Sequence, residues 1–138
     1  MIIYENKLTT QEFCKIQEAV GFGTPDSKQV EIALKNSNYT ISVEVDNQIV
    51  GMGRLIGDGA RIFYLQDVFI LPDYQGRGIG TIIVNKLLDY IKSVPLENCN
   101  IMVGLMAAKN KESFYEKFGF IKRPNNVWGN GMMLLLSK

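Results

Sequence analysis

Hydrophobic and polar positions change period along this chain, and each change marks an element. Residues 2–4 form a short apolar opening that reads as a first strand. Phe13, Ile16 and Val20 then recur at helical spacing, and Thr9 with Glu12 has the spacing of a capping box. A helix is predicted over 10–20. Gly21-Phe22-Gly23-Thr24-Pro25 stops it. Pro25-Asp26-Ser27 opens a second helix with Val30, Ala33 and Leu34 on one face, and Asn36 to Asn38 ends it.

From Tyr39 the period falls to two. Tyr39, Ile41, Val43 and Val45 alternate with Thr40, Ser42 and Glu44, as a half-buried strand requires. Asp46-Asn47-Gln48 is a hairpin turn, residues 49–56 the next strand, and Gly57-Asp58-Gly59-Ala60 the next turn. Residues 61–71 are apolar at both parities, which fits a central strand covered on both faces. On that alternation Asp67 shares a face with Phe63, Leu65 and Phe69, where a carboxylate needs a partner, and Arg54 on the preceding strand can be it. A helix follows over 80–92, its apolar side carrying Ile79, Ile82, Ile83, Leu87 and Ile91. Further predicted elements are a strand over 100–106, a helix over 110–118, and strands over 120–122 and 132–136. The order is β-α-α-β-β-β-α-β-α-β-β, an α/β class with a mixed, mostly antiparallel central sheet flanked by helices.

Between the central strand and its helix lies Asp73-Tyr74-Gln75-Gly76-Arg77-Gly78-Ile79-Gly80. Glycines let the backbone adopt φ > 0 and let a ligand approach it closely. The helix behind them presents unpaired N–H groups and the positive end of its dipole. Strand, glycine loop and helix together suit a phosphate or pyrophosphate. The spacing does not fit the Gly-x-Gly-x-x-Gly dinucleotide fingerprint, and no P-loop run occurs. It does fit Gln-x-x-Gly-x-Gly, read here as Gln75-Gly76-Arg77-Gly78-Ile79-Gly80, and this resembles the acetyl-CoA pyrophosphate loop of the GNAT (GCN5-related N-acetyltransferase) superfamily, in its small stand-alone bacterial form. Downstream, Phe114-Tyr115-Glu116-Lys117-Phe118-Gly119-Phe120 resembles the Phe-Tyr-x-x-x-Gly-Phe segment of the same family, in matching order and spacing. The likeness covers most of the chain and identifies residues 1–138 as a single domain of that fold.

Composition narrows the alternatives. The 138 residues are 46% hydrophobic with a formal net charge of +1, so the chain can bury a core and has no phosphate-neutralising block for nucleic acid. No apolar run approaches the roughly 18 residues of a membrane span, and no signal peptide is expected. The absence of His argues against a zinc centre or a His-based triad, so no metal is expected. Cys14 and Cys99 read as reduced, buried, intracellular thiols, and a cytoplasmic location is expected.

The resemblance implies an acetyl-CoA-dependent N-acetyltransferase, with acetyl-CoA as acyl-donor cosubstrate. It places Val68, Phe69 and Ile70 beside the pantetheine arm, which adds to the sheet as a strand would. It places the backbone of Gly76, Arg77, Gly78, Ile79 and Gly80 around the pyrophosphate, with Thr81 able to add a hydroxyl and Arg77 a charge. Gln75 braces the loop or meets a phosphate. A backbone N–H near residues 68–70 polarises the thioester carbonyl. Tyr115 becomes the general acid that protonates the leaving thiolate. Two positions depart from the pattern. Ala108 stands where many members carry Asn, and Gln66 where some carry a Glu base. Asp67 is then either the base or a structural acceptor, and a third option is that water carries the proton.

The leading reading is transfer of an acetyl group to a primary amine of a small molecule by direct attack on the thioester. A protein or peptide N-acetyltransferase and a non-catalytic acyl-CoA sensor are the alternatives. The acceptor would be lined by residues 20–36, the strand ends near Asp58, and the 125–131 loop. Trp128 and Tyr64 read as core or rim aromatics that could also line an acceptor pocket. Small members of the family often dimerise, so a homodimer is among the expected partners.

Overall fold

The structure is a computed structural model that describes residues 1–138. The chain divides into two compact units, Met1–Leu105 and Met106–Lys138, each described here by itself.

The first unit is built on a sheet of order β1-β2-β3-β4-β5. Its elements run β1 (Ile2–Glu5), α1 (Thr10–Ala19), α2 (Ser27–Lys35), β2 (Tyr39–Val45), β3 (Gln48–Gly57), β4 (Ile62–Ile70), α3 (Ile79–Lys92) and β5 (Met102–Gly104). Neighbours from β1 to β4 pair antiparallel, and β5 joins β4 in parallel. The predicted capping box is formed. The Thr9 hydroxyl accepts the Glu12 N–H at 3.2 Å, and the Glu12 carboxylate accepts the Thr9 N–H at 2.9 Å. Asp26 caps α2 by accepting the Gln29 N–H at 2.8 Å.

α3 lies on one face of the sheet, and two glycines let it come close. A Cβ at Gly53 would stand 2.7 Å from Ile83 Cγ2, and one at Gly51 3.0 Å from both Ile79 Cγ2 and Ile83 Cδ1. The first is shorter than packed atoms approach, and the second is tight enough that the isoleucines would have to give way, so glycine at both positions lets α3 lie close to β3. Ile79, Ile83, Val84, Leu87 and Ile91 are buried in this layer, while Ile82 is only half-buried. At its far end Tyr90 stacks on Tyr39 with centroids 4.5 Å apart. α1 packs on β3 and β4 and against α2, burying Phe13, Ile16 and Val30.

Several expectations change in detail. β5 covers Met102–Gly104 rather than 100–106. Cys99 is exposed and Cys14 half-buried, and both are free thiols. In the second unit only α4 (Glu112–Glu116) is regular, shorter than the predicted 110–118. The expected strands over 120–122 and 132–136 do not form. Met132, Met133, Leu134, Leu135 and Leu136 instead stand 67–88% exposed. The reason lies in their pattern. Five consecutive apolar residues have no polar face, so such a strand is satisfied only when covered on both sides and paired along its edges.

Candidate functional site

β4 has an unfinished edge. β5 pairs with it only at Ile62, Phe63 and Tyr64. From Leu65 to Ile70 no strand lies on that side, while β3 continues on the other. The Leu71 N–H donates to Val50 O on β3 at 2.8 Å. By alternation the peptide groups of Ile70 turn to the open side. The Gln75 amide meets one of them there, donating from Nε2 to Ile70 O at 3.0 Å. Gln75 therefore braces the glycine loop against the end of β4.

The loop delivers an unsatisfied helix start. After a single 3-10 turn (Pro72–Tyr74), Gly76 and Gly78 take φ of +73° and +81°. A Cβ at either would meet no protein atom within 4 Å, so the space beside them is open. α1 and α2 are capped by side chains, whereas Gly78 offers α3 none. The first helical bond runs from the Ile82 N–H to Gly78 O, leaving the N–H groups of Ile79, Gly80 and Thr81 without a helical partner. The Arg77 guanidinium sits over the Tyr74 ring at 5.0 Å, and Thr81 is exposed in the first turn. An open strand edge thus leads into uncapped N–H groups at the positive end of a 14-residue helix.

Asp67 does not lie where alternation puts it. Arg54 is paired with Gln66 but Met52 with Phe69, so β4 holds one more residue than β3 across this interval. Asp67 takes φ +55°, a left-handed conformation that Asp tolerates better than most residues. The extra residue inverts the facing of all that follows. Phe63 packs edge-on to Tyr90 of α3. Beyond the bulge it is Val68 and Ile70 that stand against the α3 face, beside the Gly53 and Gly51 positions. Asp67 and Phe69 turn to the opposite side. Asp67 Oδ2 accepts Arg54 Nε at 2.5 Å, with side chains 10% and 13% exposed. Arg54 also reaches Ser37 Oγ at 3.3 Å, and Gln66 Nε2 reaches Asp67 Oδ1 at 3.4 Å. The shared face expected with Phe63, Leu65 and Phe69 is therefore corrected, while the Arg54 partnership is present.

The same side carries an aromatic pair that the sequence pattern did not single out. Phe22, between α1 and α2, stacks on Phe69 with centroids 5.1 Å apart and planes at 24°. Phe22 is nonetheless 58% exposed. Its position between two glycines was the available signal. Exposed aromatic stacking of this kind contributes about 0.5–1.5 kcal/mol. Asp58, at the other end of the β3–β4 hairpin, is occupied by the turn. Its Oδ1 accepts the N–H groups of Ala60, Arg61 and Ile62, and these bonds hold its carboxyl below the usual range.

In the second unit Tyr115 packs edge-on to Phe114 at 5.0 Å and to Phe120 at 6.1 Å. Burial pushes its phenol above the usual value, so it keeps its proton throughout the neutral range. Trp128 is half exposed, with the Arg123 guanidinium over its ring at 5.6 Å. No group of three or more His, Cys, Asp or Glu is placed to hold a metal ion.

Known proteins agree with this geometry. A family model described as an acetyltransferase (GNAT) domain matches residues 6–135. An uncharacterized N-acetyltransferase, ycf52, of Pyropia yezoensis is 33% identical over 122 residues, covering 86% of this chain and 68% of that protein. A Staphylococcus aureus protein of unknown function, described as a probable acetyltransferase, superposes with a TM-score of 0.83 at 28% identity, covering 98% of this chain and all of that one. An aminoglycoside 6'-N-acetyltransferase complexed with coenzyme A superposes with a TM-score of 0.58 at 20% identity, a likeness of fold, over 67% of this chain and 56% of that one.

The bulge makes its own prediction. Asp67→Ala and Asp67→Gly both remove the carboxylate from Arg54, but only glycine is at home at φ +55°. Urea unfolding should find the alanine variant less stable than the glycine variant by about 1 kcal/mol. Equal stabilities would mean that the left-handed conformation is not retained once the carboxylate is gone.

Proposed function

The chain belongs to the GNAT family of N-acetyltransferases, and from that premise we propose that it transfers an acetyl group from acetyl-CoA to the primary amine of a small molecule by direct attack on the thioester. The observation that carries this reading is the open edge of β4 running into the uncapped start of α3.

The residues present fit the cosubstrate. Along β4, the free edge at Val68, Phe69 and Ile70 offers peptide groups to the amides of a pantetheine arm, as strand addition does. Gly76, Gly78 and Gly80 leave the backbone accessible, and the N–H groups of Ile79, Gly80 and Thr81 suit a pyrophosphate. Arg77 adds positive charge, and Gln75 holds the loop in place. Acetyl-CoA, when bound, supplies the activated acetyl thioester. The fold-related aminoglycoside enzyme, whose structure contains coenzyme A, is consistent with this choice.

Within the proposal Tyr115 gives its proton to the departing thiolate. Its phenol, raised by burial, stays protonated at neutral pH and is available to donate to the thiolate. Asp67 is assigned to structure rather than to proton abstraction, because Arg54 already engages it. Gln66 has no basicity, so the amine loses its proton to water. α3 covers one face of β4, so an acceptor must approach the open edge from the Phe22–Phe69 side. That side is narrowed by an aromatic ring and holds a neutralised ion pair. It suits a small amine better than a protein chain.

We extend the proposal to a homodimer. Residues 132–136 expose five apolar side chains per chain. Burying such a side chain contributes about 1.5–3 kcal/mol. Ten of them, from two copies, outweigh an association cost of about 4–15 kcal/mol. Light scattering should give about twice the 15.5 kDa of one chain, and Leu135→Glu should return it to monomer. A monomeric parent protein at tens of micromolar would rule this out.

Two variants test the chemistry. Gly78→Asp puts a negative side chain into the open space beside the loop, at a φ that Asp tolerates. Calorimetry should show acetyl-CoA binding lost while the melting temperature holds. Unchanged affinity would remove the loop from the binding site. Tyr115→Phe should lower kcat by about 10²–10⁴ while acetyl-CoA affinity stays within a factor of two or so. In the parent enzyme the rate should hold through the neutral range and fall only at alkaline pH, where the raised phenol ionises. Near-normal turnover by the variant would make Tyr115 a packing residue. Acetyl-CoA binding without CoA release, across both an amine and a peptide panel, would favour a sensor instead.

A further inference from the structure

Asn130-Gly131 is the only Asn-Gly step in the chain, and it stands just past the last fixed point of its loop. Arg123 Nε donates to Gly129 O at 2.6 Å with its guanidinium over the Trp128 ring, so the backbone is held as far as Gly129. Asn130 is exposed, lies in neither helix nor strand, and has no hydrogen-bond partner for its side-chain amide. A Cβ at Gly131 would meet nothing within 4 Å, so the space around that residue is open. The Gly131 nitrogen can approach the side-chain carbonyl of Asn130, and a following residue without a Cβ hinders that approach least.

Other candidate positions are guarded. Asn125 Oδ1 accepts the N–H groups of Val127 and Trp128 at 2.9 Å each, and its Nδ2 donates to Lys122 O at 3.0 Å. The same bonds engage the Val127 nitrogen, the one that would attack Asn126. At the end of α2, Asn36 Nδ2 donates to Ile32 O at 2.8 Å, and the Ser37 N–H is bound to Leu34 O. Asp58-Gly59, the one Asp-Gly step, is tied down by three backbone N–H groups that keep its carboxylate ionised and a poor electrophile.

We propose that Asn130 is a site of spontaneous deamidation, a covalent modification against which the fold gives no protection. The deprotonated Gly131 nitrogen attacks Cγ of Asn130. The new C–N bond closes a cyclic imide, and the Cγ–Nδ2 bond breaks to release ammonia, which takes up a proton from water. Water then adds to either imide carbonyl. Opening on one side gives aspartate, and opening on the other gives isoaspartate, whose main chain runs through the former side chain. Either product carries a new carboxylate directly before the exposed apolar residues 132–136. The charge balance of the whole chain changes with it. Lys and Arg number 15 against 14 Asp and Glu, so one added carboxylate takes the formal net charge from +1 to zero. A chain with no net charge associates and precipitates more readily.

The test ages the full chain in mildly alkaline buffer and follows it by isoelectric focusing and peptide mass spectrometry. An acidic band should grow below the parent, whose isoelectric point is about 7.7, and should run with Asn130→Asp. Trypsin cuts after Lys122 and not before Pro124, so Asn125, Asn126 and Asn130 share one peptide and report on each other. Fragmentation should place the replacement of NH2 by OH at Asn130, as a mixture of aspartate and isoaspartate, while Asn125 and Asn126 stay intact. The rate should rise with pH, since the attacking nitrogen must lose its proton. Gly131→Ala fits the open space, and position 131 is not left-handed, so that variant keeps the loop and should slow conversion several-fold. Unfolding in urea should speed conversion at Asn125, which loses its bonds, and leave Asn130 within about a factor of two or so of its native rate. No conversion at Asn130, equal conversion at all three asparagines, or an unchanged rate in Gly131→Ala overturns the proposal. So does a native rate at Asn130 far below the unfolded one, which would mean that the fold guards it.

Discussion

The ion pair between Arg54 and Asp67 holds an extra residue of β4 in a left-handed conformation, and most of the site's geometry depends on it. Were the strand unbroken, with Asp67 in ordinary alternation, Phe69 would face α3 along with Phe63 and Leu65. With it, Val68 and Ile70 take over the packing against Ile79, Ile83 and Leu87. Phe69 is released to the other side, where Phe22 finds it. The pair is nearly buried, so losing one member would strand a charge away from water. That penalty keeps the bulge in one register.

Where β4 and β5 pair also matters. Their contact ends at Tyr64, before the bulge begins. The strand then continues with one edge bonded to β3 and the other free. Free strand edges in proteins are usually covered or blunted, because they recruit other chains. Here the edge ends at the Gln75 brace and leads into α3, which has no side-chain cap, whereas α1 and α2 each have one. Two unsatisfied backbone surfaces in succession match a ligand with amides at one end and phosphates at the other.

Much of this was legible in the sequence, for identifiable reasons. The Thr9–Glu12 box, the strand from Tyr39 and the glycine loop each follow from local rules and are present in the structure, although β2 is not half-buried as its alternation implied, since Thr40 and Ser42 are buried too. The bulge was not legible, because period-two counting assumes an unbroken strand and nothing in Gln66-Asp67-Val68 announces an extra residue. The same error put Asp67 on the wrong face. Phe22 was hidden for another reason. Its partner lies far along the chain, and a lone aromatic in a glycine turn has no periodicity to reveal a contact. Residues 132–136 failed as a strand because apolar content alone does not supply a neighbour for backbone hydrogen bonds. A helix around Tyr115 was legible, although it covers only Glu112–Glu116, while the contact of Tyr115 with Phe120 was not.

The central claim is that acetyl-CoA lies on the open edge of β4 and ends at the start of α3. Backbone amide chemical shifts, followed by nuclear magnetic resonance as acetyl-CoA is added, test it most directly. The largest changes should fall at Val68, Ile70, Gly76, Gly78, Ile79, Gly80 and Thr81, with β1 and the β2–β3 hairpin undisturbed. Saturable binding that leaves those amides unmoved and shifts others would contradict the account.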